Sequence, residues 1–265
     1  MYSMLAWFGR KIALTKRLHL IRSAGFSSTA FWYSRKFSPF REGHNLEIPQ
    51  LIRQNGLGIS YIHADYFRCN QLWSEEPEKQ AQALADYTDA LEFCGKSRVK
   101  GCVIHVTKGL NPPEPNPNGL TAMSKLLDKA ENLGVDIYVE NTRDTAHLDY
   151  LFENIDHPRL GFCYDSSHDL LHSTEPGAVL ERWNHRLMMT HLSGNDGKTD
   201  THILPDNYET LQWAKILRAF PASISEDKVS MEVILPDDDV RSPGVFIEKT
   251  YTMADELFRR LKRRI

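Results

Sequence analysis

The chain has 265 residues, 41% of them hydrophobic, and a formal net charge of −3 with acidic and basic residues interspersed. That length suits one large α/β domain, and with no evident linker we expect a single domain over residues 1–265. The charge balance supplies no basic field to concentrate a phosphodiester backbone, and no apolar run is long enough to span a bilayer.

The four cysteines are scattered and never form a Cys-x-x-Cys pair, which fits a reducing compartment. The short apolar start around Met4–Phe8 precedes Arg10, Lys11, Lys16 and Arg17, the wrong order for a signal peptide, so a cytoplasmic protein is expected. From there, short apolar runs alternate with longer amphipathic stretches. The runs predict strands near Met4–Phe8, Ser27–Trp32, Gly58–His63, Val99–His105, Asp136–Val139, Leu160–Tyr164, Leu187–Leu192 and Val229–Val233. Between them, helices are predicted over Lys11–Ser23, Ile48–Gln54, Glu75–Phe93 and Leu120–Leu133, ended by Gly25, Gly56, Gly95 and Gly134 as left-handed C-caps. Fainter helical patterns follow at Thr145–Asn154, Gly177–Trp183, Tyr208–Phe220 and Val245–Arg264. Eight strands alternating with eight helices predict a (β/α)8 TIM barrel. The proline-rich Lys108–Gly119 is expected to be irregular, a loop or lid at the catalytic face.

Polar residues recur where the predicted strands end. His63 closes "GISYIH", His105 closes "GCVIH", Glu140 follows "VDIYV", Asp165 follows "LGFCY", His191 follows "LMMT", and Glu232 interrupts "VSMEV". In a parallel barrel all C-terminal strand ends open on one face, so these six side chains should converge. Buried carboxylates without compensation cost several kcal/mol each, a cost that a divalent cation would offset. Glu140, Asp165, His191 and Glu232 form a mixed oxygen and nitrogen set suited to Mn, Mg, Co or Zn, and the lack of thiolates argues against a closed structural zinc site. His168, three residues after Asp165, is placed to contact substrate or a second metal. The polar stretch Thr190–Asp206 follows the seventh strand, hanging His191, Asn195, Lys198, Asp200 and His202 over the same cavity. Asp200 and His202, one residue apart, should point the same way in an extended segment.

Taken in order, "YIHADY", "VIHV", "YVEN", "YDSSHD", "THLSGNDGKTDTHILP" with "LQWAKIL", and "SMEV" resemble the xylose isomerase-like TIM barrels. Within them the likeness is to the sugar phosphate isomerase/epimerase group, related to endonuclease IV. The resemblance implies that Glu140, Asp165, His191 and Glu232 hold one divalent metal. Glu140 and Glu232 would also act catalytically, one removing a proton beside a carbonyl to give an enediolate and the other returning it. His63, His105, His168, Lys198 and His202 are the substrate-binding candidates, and the substrate would be a sugar or sugar phosphate. The chain departs from ketose epimerases after His191, where those proteins carry an arginine and this one has Gly197 and Lys198.

Two further readings come from the same resemblance. The nine-ligand trinuclear zinc pattern of endonuclease IV lies onto His63, His105, Glu140, Asp165, His168, His191, Asp200, His202 and Glu232 without a gap. That branch would hydrolyse phosphodiesters at abasic sites, but the acidic net charge and the lack of an Arg-rich, aromatic inserting loop argue against it. A dehydratase would keep the base and metal and lose a β-hydroxyl. A homo-oligomer is left open. Of the remaining features, Trp7, Phe31, Trp32 and Tyr66 are candidates for an apolar wall against a sugar ring, with core packing the competing role. Arg143 is a candidate for a phosphate contact or a surface salt bridge, and the basic Arg259–Arg264 reads as the solvated face of a last helix.

Overall fold

The computed structural model describes residues 1–33, 47–205 and 208–263. Asp206 and Arg264, which bounded two of the expectations above, lie outside them.

Each apolar run becomes a strand, and the strands add to one another in chain order. β1 (Ser3–Leu5), β2 (Ser28–Tyr33), β3 (Gly58–Ala64), β4 (Gly101–Ile104), β5 (Asp136–Glu140), β6 (Leu160–Asp165) and β7 (Leu187–His191) pair in parallel, and β8 (Ser230–Met231) pairs with β1. The last seam is a single parallel bridge between Leu192 and Met231, in which the Leu192 N–H donates to the Ser230 carbonyl at 2.8 Å and the Glu232 N–H to the Leu192 carbonyl at 3.2 Å. Eight parallel strands thus make a nearly closed barrel, a TIM barrel. β1 and β8 are shorter than their apolar runs; the hydrophobic residues beyond them, such as Phe8 and Val233, are buried without joining a ladder.

The strands are apolar on both faces because both are covered. Leu5, Ala30, Tyr61, Val103, Tyr138, Cys163 and Met189 pack together inside the barrel. Their chain neighbours Ile62, Ile104, Val139 and Phe162 point outward into the larger core beneath the helices.

Helices α1 (Leu14–Ser23), α2 (Glu47–Gln54), α3 (Pro77–Ser97), α4 (Pro117–Leu133), α5 (Ala146–Asn154), α6 (Ser166–His172), α7 (Ala178–Trp183), α8 (Leu211–Ala219) and α9 (Pro243–Lys262) connect the strands. Gly134 is the left-handed C-cap of α4 at φ 66°, and Gly25 and Gly56 turn the chain at φ 112° and 74° just past α1 and α2. Gly95 does not end α3. The helix continues to Ser97 and is capped by Arg98 at φ 54°, while Gly95 lies against Leu133 of α4. The proline-rich segment is irregular only to Asn116, whose side chain caps α4, and Pro117 takes the first helical turn, where a missing N–H costs nothing. Among the described residues no helix is long and apolar enough to cross a membrane.

Candidate active site

Alternation along the strands places the site. In β3, β4, β5, β6 and β7 the inward core residues are Tyr61, Val103, Tyr138, Cys163 and Met189. Two residues on, at the next inward position and the C-terminal strand end, stand His63, His105, Glu140, Asp165 and His191. On the last strand, Ser230 meets the Tyr61 hydroxyl inside the barrel at 3.3 Å, and Glu232 follows by the same two-residue step. All six are buried. The convergence expected from sequence is present, with one ligand-type atom each from Glu140, Asp165, His191 and Glu232 lying within 4.8 Å of one another.

Glu140 is the hub. Its Oε2 is 3.2 Å from His63 Nε2, 3.1 Å from His105 Nε2 and 3.2 Å from His191 Nδ1, and its Oε1 is 3.3 Å from His168 Nδ1. Asp165 Oδ2 lies 3.8 Å from both His191 Nδ1 and His202 Nδ1. Glu232 Oε2 approaches His191 Nδ1 to 2.6 Å. Even so, Asp165 Oδ2, Glu232 Oε2 and both ring nitrogens of His191 are buried without a properly directed hydrogen bond. Buried polar atoms are normally satisfied, so acceptors this close but misaligned with one another fit a common ligand set better than mutual hydrogen bonds.

The histidine tautomers point the same way. His63 Nδ1 is 2.9 Å from the Ala64 carbonyl and must donate to it, which leaves Nε2 of the neutral ring as a lone pair facing the Glu140 carboxylate. His168 Nδ1 likewise meets the Asn141 carbonyl at 2.9 Å, leaving Nε2 against Asp200 Oδ2 at 3.2 Å. A lone pair against a carboxylate requires a cation between or beside them, either a proton or a metal. The donor set therefore fits a divalent cation at Glu140, Asp165, His191 and Glu232. The flanking groups His63, Glu140, His191 and Asp165, His168, His202 also have ligand geometry.

Protonation reflects the same crowding. Burial pushes Asp165 upward and its imidazole neighbours only partly reverse this, leaving it at about 6. Burial also raises Glu232, but the adjacent His191 outweighs it and holds the carboxyl at about 2. For Glu140 burial is likewise overcome, by His191 and His105, and its pKa falls well below the usual range. Burial lowers His202, whereas Asp165 and Asp200 draw it up to about 9. His105 is pushed down by burial despite Glu140.

The loop after β7 folds over the cavity as expected but is not extended. His202 adopts φ 45°, and its Nε2 meets Asp200 Oδ1 at 3.0 Å. Asn195 builds the turn instead of facing the cavity: its amide binds Ser167 Oγ and the Thr199 carbonyl, and its Oδ1 accepts from the Gly197 N–H. Lys198 lines the mouth. Of the aromatic wall candidates, Tyr66 stacks on His105 at 4.4 Å and Trp32 lies 5.3 Å from His63, whereas Phe31 is buried against Phe93 in the outer core. Trp7 packs against the inner barrel cluster and beneath the Arg17 guanidinium.

Two features escaped the sequence reading. Helix α6 begins directly after Asp165, which accepts the His168 N–H at 2.8 Å and so acts as both N-cap and candidate ligand. Asn141 fixes the strand end beneath it, its Nδ2 donating to the Asp165 carbonyl at 2.8 Å and its Oδ1 accepting the Asp165 N–H at 2.7 Å. The "DSSH" spacing of an N-cap was the available signal for the first. Nothing in the sequence marked the second.

The fold and site define a class: a barrel with a carboxylate and imidazole centre at its C-terminal mouth. The chain belongs to the xylose isomerase-like TIM barrel family, whose profile matches residues 18–243. It is similar in structure to an L-ribulose 3-epimerase, with a TM-score of 0.79 and 14% identity over 99% of this chain and 96% of that one. It is also similar to a D-psicose 3-epimerase of Clostridium cellulolyticum H10 (TM-score 0.70, 15% identity, 100% and 98% covered) and to a 3-keto-D-glucoside 4-epimerase of E. coli (TM-score 0.67, 16% identity, 96% and 98% covered). At these identities the likeness is one of fold. The uncharacterised protein y4fM of Sinorhizobium fredii is 34% identical over 106 residues, 39% of this chain but only about a third (33%) of that protein's length.

Proposed function

We propose that the protein is a divalent-metal-dependent isomerase or epimerase acting on a sugar, a sugar phosphate or a related polyol. The observation that carries this reading is the meeting of Glu140, Asp165, His191 and Glu232, whose neighbours His105 and His168 line a cavity of about 520 Å³, a volume typical of small-molecule sites. A cation held there would polarise a substrate carbonyl and its neighbouring hydroxyl, acidifying the C–H between them. Glu232 is the better placed base. Its side chain is 8% exposed against 1% for Glu140, and its Oε2 lacks a hydrogen bond, whereas Glu140 is enclosed by imidazoles. Glu140 is the candidate second proton carrier, with His63, His105, His168, Lys198 and His202 binding substrate oxygens. Tyr66, stacked on His105, offers an apolar face to a sugar ring.

The test is proton exchange. Pentoses, hexoses, ketoses and inositols incubated with Mn-loaded protein in heavy water should include one that takes up deuterium at the carbon beside its carbonyl. Exchange with an unsaturated product would mark the dehydratase variant, and no exchange across the panel would count against the isomerase.

A second reading is favoured by one specific observation. Seven of the nine residues of the trinuclear pattern sit in three overlapping groups, and the other two adjoin them, His105 through Glu140 at 3.1 Å and Asp200 through His168 and His202 at 3.2 and 3.0 Å. This supports a phosphodiesterase acting on abasic DNA. Three tightly held zinc ions together with nicking of abasic duplexes would establish it, and the net charge of −3 weighs against it.

A further inference from the structure

Two of the four proposed ligands are held from behind by well-directed groups. Glu140 is enclosed by His63, His105 and His168, and the Asp165 backbone is clamped at both polar groups by the Asn141 side chain. His191 has no support of that kind. Its Nδ1 takes the side of the ring that meets the carboxylates, 2.6 Å from Glu232 Oε2, 3.2 Å from Glu140 Oε2 and 3.8 Å from Asp165 Oδ2. Its Nε2 is buried without a directed hydrogen bond. A histidine that ligates through one nitrogen normally passes its other N–H to an acceptor behind it, which fixes the tautomer and orients the ring. Because His191 is fully buried, that acceptor has to belong to the barrel interior.

The interior narrows the choice. Aromatic neighbours cover the ring face, Tyr61 at 5.1 Å with 32° between the planes and His63 at 5.6 Å with 25°, and the Tyr61 hydroxyl already meets Ser230 Oγ at 3.3 Å. In the layer of inward side chains, Leu5, Ala30 and Val103 carry no polar side-chain atom, and the Tyr138 hydroxyl lies toward Gly101 at the start of β4. Two sulfurs are left, those of Cys163 and Met189. Across β6 and β7, Asp165 stands opposite His191 and Cys163 opposite Met189, so Cys163 sits one inward step beneath the ligand pair, on the strand beside His191. Its thiol is in side-chain contact with the His191 imidazole, and burial pushes it up to about 12 against the pull of that ring. A thiol sulfur is a weak hydrogen-bond acceptor.

We propose that Cys163 is the positioning residue for His191: its sulfur accepts the Nε2–H and so turns Nδ1 toward the cation shared with Glu140, Asp165 and Glu232. This rests on the metal-dependent reading above and adds the interior residue that sets how tightly the ion is held.

The test is calorimetric Mn binding to the native protein and to Cys163→Ser, Cys163→Ala, Cys163→Val and Met189→Leu, with the melting temperature of each recorded alongside. Loss of an outer partner of a ligating histidine lowers metal affinity by about 10–100-fold, and that loss is expected in the Ala and Val variants. Serine keeps an acceptor and should stay near the native affinity, as should Met189→Leu. A role in packing alone would lower the melting temperatures and leave the affinities unchanged. Native affinity in the Ala and Val variants, an equal loss in Cys163→Ser, or a comparable loss in Met189→Leu would overturn the proposal. NMR of the zinc-loaded native protein with 15N-labelled histidine needs no variant: His191 should carry its proton on Nε2 and none on Nδ1, and the opposite tautomer would overturn the assignment. The metal-free protein separates this contact from the metal site. A His191 Nε2–H resonance that moves in Cys163→Ser although the native protein binds no Mn would defeat the metal site and leave the contact, whereas an unmoved resonance in a protein that binds Mn would defeat the contact alone.

Discussion

At the scale of single residues, the site is a problem of compensating charge. Glu232 combines burial, a place in the four-residue cluster and an oxygen without a hydrogen bond. Glu232→Gln preserves shape and removes the proposed base, so turnover should fall by roughly 10²–10⁴-fold with an unchanged circular dichroism spectrum; near-native activity would remove Glu232 from that role. Asp165 gives a pH prediction with a definite sign. Its carboxyl is raised to about 6 by burial, so below pH 6 it carries a proton that must leave before a cation can bind. His202, drawn up to about 9, and His191, also raised, keep their protons in the metal-free protein and compete in the same direction. Affinity for Mn should therefore strengthen as pH rises from 5.5 to 7.5, with proton release visible as a buffer-dependent binding enthalpy. An affinity that is flat or falls over that range would contradict the ligand assignment.

At the scale of elements, the same aspartate joins chemistry to folding. Asp165 ends β6 and caps α6, and Asn is as good an N-cap as Asp while being a neutral, weaker ligand. Asp165→Asn should keep α6 and the thermal midpoint of the metal-free protein while losing most metal affinity. Asp165→Ala should lose both, with an additional destabilisation of about 1 kcal/mol from the missing cap, measurable by denaturant titration. Equal stabilities in the two variants would show that the cap contributes nothing. The seat of α4 makes a separate prediction. A Cβ on Gly119 would stand 2.1 Å from the Trp73 ring, whose Nε1 donates to the Val106 carbonyl at 2.7 Å just past His105. Gly119→Ala should cost about 1–3 kcal/mol through overpacking, and an unshifted melting temperature would refute the close contact.

At the scale of the whole molecule, the barrel was legible because parallel strands covered on both faces leave apolar runs that composition and spacing disclose. Strand ends were legible for a related reason: the polar residue that breaks an apolar run stands at the C-terminal mouth, buried among others of its kind, which marked His63, His105, Glu140, Asp165, His191 and Glu232. What remained hidden depends on contacts distant in sequence or on local backbone. Gly95 reads as a helix stop yet serves close packing with Leu133. The polar first turn of α6 reads as loop, because its hydroxyls and imidazole are turned inward to Ser193, Asn141 and Asp200. Asp200 and His202 meet as their spacing suggested, but the left-handed backbone at His202 is local geometry that strict alternation does not foresee. Glu140, Asp165, His191 and Glu232, gathered at one end of the barrel, are the proposed holders of one divalent cation. Anomalous diffraction from crystals grown with Mn tests that assignment most directly. A manganese peak is expected within bonding distance of those four side chains; a map with no peak among them, or with manganese only elsewhere on the molecule, would refute the shared site.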